Sequence, residues 1–185
     1  MKKLFPIALM AIGVVFLAAG GYTIYRGMDA KDQVRTELVR QNITTPEDAS
    51  IPNVRVDDVA SAQAMADIID VHARDGSGGL TYAEMGRFAV PDGDPAGTDD
   101  PKAALTGSDG KPVPNAARNT AFQASALRTS LYTSVMAFQV GDLVMGLGLM
   151  IMVVGIAVGG LGFALAGLVI PTLARKVKVE PVAAH

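Results

Sequence analysis

Residues Leu143 to Ala174 read LVMGLGLMIMVVGIAVGGLGFALAGLVIPTLA, without one charged side chain. A helix rising 1.5 Å per residue needs only about 20 apolar residues to cross ~30 Å of hydrocarbon, so this run is long enough to span a bilayer. Glycine recurs in and before it at a fixed interval: Gly141, Gly148, Gly155 and Gly162 fall seven apart, and Gly159 lies one turn beyond Gly155. Leu4 to Tyr25 is a second charge-free run of about one span, and the same interval returns there in Gly13, Gly20 and Gly27.

Lipid tails are as apolar as leucine, so two spans associate through close van der Waals contact, which small residues allow by letting backbones approach. A seven-residue period keeps one face turned toward a neighbour at a gentle left-handed crossing of ~20°. Gly13, Gly20, Gly27, Gly141, Gly148, Gly155, Gly159 and Gly162 are therefore expected to be a helix-packing face, whereas Gly146, Gly160 and Gly167 are ordinary span glycines. Gly155 and Gly159 also make a small-xxx-small pair that suits a second helix or a second copy. Laid antiparallel, the runs fit two registers. One sets Gly20 beside Gly155, Gly13 beside Gly162 and Gly27 beside Gly148; the other sets Arg26 beside Asp142 as an ion pair. The first is favoured, because the second leaves the end of the long apolar run protruding.

Charge orients these runs. Between Gly27 and Asp142 ten Lys/Arg stand against seventeen Asp/Glu, while Lys2, Lys3, Arg175, Lys176 and Lys178 make both ends basic. Positive flanks stay cytoplasmic. Both termini are thus expected inside and the acidic middle outside, in a cell (plasma) membrane, with the lipid bilayer as the first partner. An acidic surface argues against nucleic acid, which selects a basic patch. Lys2, Lys3 and the small residues Ala18 to Gly21 also fit a cleaved signal peptide, but the apolar run exceeds the ~7–15 residues of a signal core and the glycine interval continues past the cut.

Gly27 to Gln41 continues the first helix, with Met28, Val34 and Leu38 on one face, until Asn42 and Thr44-Thr45-Pro46 stop it. Asp57 to Arg74 reads as an amphipathic helix capped by Asp57 or Asp58 and ended by Gly76-Ser77-Gly78-Gly79. Thr81 to Glu84 has capping-box spacing and predicts a short helix to about Phe88. Pro91 to Pro114 is rich in Pro, Gly and Asp and poor in large apolar residues, so a mobile loop is expected there. Its cluster Asp92, Asp94, Asp99, Asp100 and Asp109 lacks EF-hand spacing and the closing glutamate, which favours a solvated loop over a calcium site. Asn115 then caps a helix from Ala116 to about Ile170, with Phe122, Ala126, Thr129, Thr133 and Met136 on one face and Leu127, Leu131, Val135 and Phe138 beside it.

The expected fold class is an all-α membrane protein, an antiparallel two-helix transmembrane hairpin whose long helices extend into an extracytoplasmic helical bundle. Residues 1–26 hold the first span with a short cytoplasmic N-terminus, 27–142 the extracytoplasmic domain with a flexible acidic loop at 89–114, 143–174 the second span, and 175–185 a cytoplasmic tail.

Catalytic constellations are thin. The chain has no cysteine, so disulfides, thiolate zinc sites and cysteine nucleophiles are excluded. Its two histidines, His72 and His185, fall on opposite sides of the membrane under this topology, which rules out a two-histidine, one-carboxylate iron site within one chain. His72, near Asp67, Asp70 and Glu84, is read as a histidine hydrogen-bonded at a helix end, or else as a pH-sensitive contact. Ser125, Ser130 and Ser134 lie in a helix and not on a nucleophile turn. Arg128, among Gln123, Ser125 and Tyr132, is the best polar cluster, so His72, Arg128 and Tyr132 form the candidate polar site. No catalytic, cofactor or metal residue is expected.

Two segments carry a resemblance. Ser61-Ala62-Gln63-Ala64-Met65-Ala66-Asp67-Ile68-Ile69, His72 and Gly79-Leu80-Thr81-Tyr82-Ala83-Glu84 form the first, and Ala124 to Phe138 (ASALRTSLYTSVMAF) followed by the glycine-rich span the second. Together they resemble a family of small actinobacterial two-span membrane proteins with the pattern QAxxI, a histidine, GGxTYAE and SFLRxSLFTSVxAF. This chain departs at Ala126 and Tyr132, where that family has phenylalanine. Its members are often labelled aromatic ring-opening dioxygenase, a label that the histidine count here does not support. The resemblance implies two spans, an extracytoplasmic helical domain and an unassigned role. The expected function is that of a non-enzymatic accessory or scaffolding subunit meeting a membrane-protein partner, or another copy of itself, through glycine-faced helices and an outer bundle. The alternative is an extracytoplasmic sensor or small-ligand-binding module.

Overall fold

The computed structural model describes residues 4–177, with side chains up to residue 167. Lys2, Lys3, Lys178 and His185 lie outside the described residues. Three α-helices follow in order, α1 (Leu4–Arg40), α2 (Val59–Gly76) and α3 (Ala116–Val177), with one 3-10 turn, η1 (Tyr82–Glu84), between α2 and α3. Among the described residues the structure is all-helical apart from isolated bridges. α1 and α3 are each long and apolar enough to cross a membrane. Pro6 is tolerated in the first turn of α1, where its missing N–H has no helical acceptor. α3 runs past the expected end near Ile170, through Pro171, to Val177.

The chain divides into two compact units, Met1–Lys31 with Gln139–His185, and Asp32–Phe138. In the first, the seven-spaced glycines of α1 meet those of α3 in antiparallel order. A Cβ placed on Gly20 would lie 2.6 Å from the Gly148 carbonyl oxygen, one on Gly27 2.9 Å from that of Gly141, and one on Gly155 2.9 Å from that of Gly13. Gly162 faces the Pro6 carbonyl in the same way, at 2.8 Å. Gly20 therefore lies beside Gly148 and not beside Gly155: the favoured register is corrected by one heptad, to the second register, in which Arg26 and Asp142 fall at one level although they form no ion pair. The period could not separate the two, since a seven-residue slide returns glycine to glycine. What separates them is the polar end of the unit, where Lys31 Nζ reaches Asp142 Oδ1 at 2.5 Å and the Lys31 stem covers Gly141. Lys31, not Arg26, is the partner of Asp142; Arg26 lies 3.8 Å from Asp29.

In the second unit, Leu38 of α1, Ala62 and Ala66 of α2 and Leu131, Val135 and Phe138 of α3 enclose Val56, which is fully buried. This core uses the Leu131 side of α3; Phe122, Leu127 and Met136 remain exposed. Asp58 caps α2 by accepting from the Ser61 amide at 2.8 Å, and Ser61 Oγ accepts in return from the Asp58 amide at 3.2 Å. Gly78 and Gly79, at φ +63° and +88°, turn the chain out of α2 so that the Gly79 amide reaches the Arg74 carbonyl at 2.7 Å.

The segment from Met85 to Asn115 differs from the helical expectation and carries more internal bonding than its composition suggests. The helix predicted to reach Phe88 stops at Glu84, because Phe88 is drawn into bridges with Thr98 and Pro114. The loop at 89–114 has a hydrogen-bond lattice of its own: the Ala89 amide donates to Val113, Leu105 to Ala89 and Val113 to Leu105. Its aspartates close local turns, with Asp92, Asp94, Asp100 and Asp109 each accepting the amide two residues on. Counting large apolar residues misses this source of order.

Candidate functional site

The best-defined polar constellation lies where α2 faces α3 within the second unit. Asp67, Asp70 and Arg74 follow one another at helical spacing along α2, and Arg128 and Tyr132 stand one turn apart on α3. Tyr132 donates its hydroxyl to Asp67 Oδ1 at 2.7 Å. That bond to a carboxylate holds the Tyr132 phenol above its ordinary range, since ionisation would set two negative groups against each other. Arg128 Nη1 donates to Asp70 Oδ1 at 2.7 Å, and Arg74 Nε donates to Asp70 Oδ2 at 3.1 Å. One carboxylate thus serves two guanidinium groups. Arg128 Nε is buried with no hydrogen-bond partner among the described residues. Leaving such a donor unsatisfied costs about 1–3 kcal/mol.

Tyr82 of η1 stands beside this array. The Arg118 guanidinium lies 4.0 Å from its ring centroid, and Phe122 packs at 5.6 Å on a tilted plane. Arg118 is fixed in turn by donating Nε to the Met85 carbonyl at 3.1 Å. η1 is shaped by Glu84, whose carboxylate accepts the Thr81 amide and hydroxyl, both at 2.7 Å. Those bonds, the amide first, hold Glu84 below the usual carboxylate range. Between α2, η1 and α3 lies a cleft of about 80 Å³ whose lining includes Asp70, Arg74, Thr81, Tyr82, Ser125 and Arg128.

The structure therefore brings Arg128 and Tyr132 together, the guanidinium 6.0 Å from the ring. It places His72 elsewhere: Nε2 is 2.7 Å from Asp48 Oδ2, both side chains more than half exposed, and not beside Asp67, Asp70 or Glu84. The bond to His72 holds Asp48 below the carboxylate range. Asp70 and Arg74 were missed as members of the site, although their i, i+4 spacing signals a pair on one helix face. The hydroxyls of Ser130 and Ser134 donate to the carbonyls four residues back, Ala126 and Ser130, as helix-facing hydroxyls do. Among the described residues no group of three or more histidine or carboxylate side chains is placed to hold a metal ion.

No protein-family model matches this chain, and no curated protein or solved structure shows a significant match to it.

Proposed function

We propose that this chain is a two-span integral membrane protein acting as a non-enzymatic accessory or scaffolding subunit. Its spans run as an antiparallel hairpin in the cell membrane, with both termini cytoplasmic and the Asp32–Phe138 unit extracytoplasmic. One observation carries the membrane reading: the apolar windows of α1 and α3 are only 17% and 11% buried by protein. A helix of that composition in the core of a water-soluble protein would be mostly covered. Here Val14, Val15, Leu147, Met150, Ile156 and Phe163 all point outward, and only lipid or another apolar partner can cover them.

The orientation rests on the basic flanks and the acidic middle. The accessory role rests on the sequence, which has no histidine pair within one compartment and no nucleophile turn, and on the resemblance to two-span actinobacterial proteins of unassigned role. Gly13, Gly20, Gly27, Gly148, Gly155 and Gly162 contact the facing helix of the same chain. A partner is therefore met by the other faces of the spans, where Gly21, Gly146, Gly160 and Gly167 have open space around them.

Extraction in mild detergent followed by native mass spectrometry tests this role. Stoichiometric membrane partners, or a stable multiple of the chain, are expected. A lone monomer that stays in aqueous solution without detergent would overturn both the membrane and the scaffold readings.

A further inference from the structure

Of the side chains lining the cleft between α2, η1 and α3, two carry a positive charge, Arg74 and Arg128, and one a negative charge, Asp70. Asp70 already accepts from both guanidinium groups, so within the lining itself arginine outnumbers carboxylate by one, with Glu84 acting on Arg74 from just outside it. Arg128 also holds a buried Nε–H without an acceptor. The rest of the wall is divided: Leu80 and Ala121 present apolar surface, and Thr81 and Ser125 bring hydroxyls.

We infer that this cleft binds a small organic monocarboxylate. Its carboxylate completes the Arg74–Asp70–Arg128 array, and its short alkyl part lies against Leu80 and Ala121. Charge selects a monoanion, because Asp70 neutralises one of the two arginines and would repel a phosphate dianion. Geometry selects a planar acceptor, which the guanidinium fork matches with two parallel hydrogen bonds. Size selects a short acid, since a cleft of about 80 Å³ has room for a few heavy atoms only. The site lies wholly within the Asp32–Phe138 unit and does not depend on the scaffold role; a chain found without membrane partners would leave it standing.

The test uses the full chain in mild detergent, titrated with sodium propionate against sodium chloride at matched ionic strength and followed by thermal midpoint and by the arginine Nε–H resonances. Propionate is expected to raise the midpoint saturably and to shift one Nε–H signal, with propionamide, of the same shape but uncharged, at least tenfold weaker. Arg128→Lys keeps the charge but removes Nε and the fork, and is expected to weaken binding at least tenfold. Ser125→Phe fills the cleft from the α3 wall while keeping Asp70, Arg74 and Arg128 in the chain; it is expected to abolish the response while the far-ultraviolet circular dichroism stays unchanged. No saturable response beyond chloride, a response surviving Ser125→Phe, or inorganic phosphate binding more tightly than propionate would each overturn the assignment.

Discussion

Gly13 and Gly159 meet asymmetrically. A Cβ on Gly13 would fall 2.6 Å from the Gly159 Cα, whereas a Cβ on Gly159 would stand 3.6 Å from the Gly13 Cα, an ordinary contact. Two glycines of one packing face thus differ in what they tolerate. Gly13→Ala is expected to destabilise the α1–α3 pairing by about 1–3 kcal/mol, the usual penalty of overpacking. Gly159→Ala, and the control Gly160→Ala with nothing within 4 Å, should stay within about 0.5 kcal/mol. Unfolding in mixed micelles separates them, and equal losses at Gly13 and Gly160 would contradict the close approach.

The register has its own signature. The Cβ position of Gly155 lies 3.0 Å from the Phe16 Cβ, and that of Gly162 2.9 Å from the Leu9 Cβ. Phe16→Cys with Gly155→Cys, and Leu9→Cys with Gly162→Cys, are expected to crosslink on mild oxidation once the helices give by the roughly 0.5–1 Å that a Cβ at these glycines demands, because disulfides hold Cβ atoms ~3.5–4.5 Å apart. Gly20→Cys with Gly155→Cys should not. Efficient crosslinking of that last pair would restore the register one heptad away.

What could be read from the chain beforehand was local. Charge-free runs, the Asp58 cap, the Gly76–Gly79 stop and the Asn115 start each act within a turn or two, and the helices begin and end near them. Quantities that depend on how helices meet were not legible. The heptad slide is degenerate for any seven-spaced glycine set, and the rotation of α3 that buries Leu131 and aims Arg128 at Asp70 follows from packing against two helices at once. The hydrogen bonding within 89–114 was hidden for another reason, that Asx turns and short bridges leave no apolar period. His72 was assigned to nearby carboxylates on α2, but its ring meets Asp48, which precedes it by 24 residues in the Thr45–Ser50 turn region.

Asp70 is expected to matter more than either arginine it binds. Removing it by Asp70→Ala leaves Arg74 and Arg128 without their shared acceptor in a partly buried site, each of their side chains exposed by half or less. Hydrogen bonds to charged groups are worth about 1.5–3 kcal/mol, so Asp70→Ala should lower stability by about 2 kcal/mol. Arg74→Ala removes the more exposed arm and should lower it by under about 1 kcal/mol. A double-mutant cycle between Asp70 and Arg128 measures the coupling directly, and a coupling near zero would contradict the pairing.

The Asp58 cap supplies a pH dependence. Its carboxyl lies below the ordinary range because it accepts from the Ser61 hydroxyl and then from the Ser61 amide. A carboxyl whose folded pKa is lowered stabilises the fold above its unfolded pKa, and that contribution is lost as pH falls through the folded value. The cap is therefore at full strength at neutral pH and fades only below about pH 4. Asp58→Asn, which still accepts a hydrogen bond, should flatten the corresponding part of the acid-unfolding curve. Asp58→Ala should cost about 1 kcal/mol at neutral pH.

Asn115 ties the loop to α3, and its side chain is the sharpest test of that loop. Oδ1 accepts the Arg118 amide at 3.3 Å as a helix cap, while Nδ2 donates to the Gly86 carbonyl at 3.1 Å and to the Pro95 carbonyl at 2.9 Å. The residue is buried, so no water replaces these partners when the side chain is cut back. Asn115→Ala combines a lost cap of about 1 kcal/mol with two stranded carbonyls, and should lower stability by about 2–3 kcal/mol. Asn115→Asp divides the two functions, since a carboxylate still caps the helix but turns an acceptor toward two acceptors. If the loop is held through Nδ2, Asn115→Asp should speed amide exchange at Gly86, Phe88 and Thr98 while α3 keeps its protection. Equal exchange in the wild type and Asn115→Asp would show that the bridges at Phe88 hold the loop without this side chain.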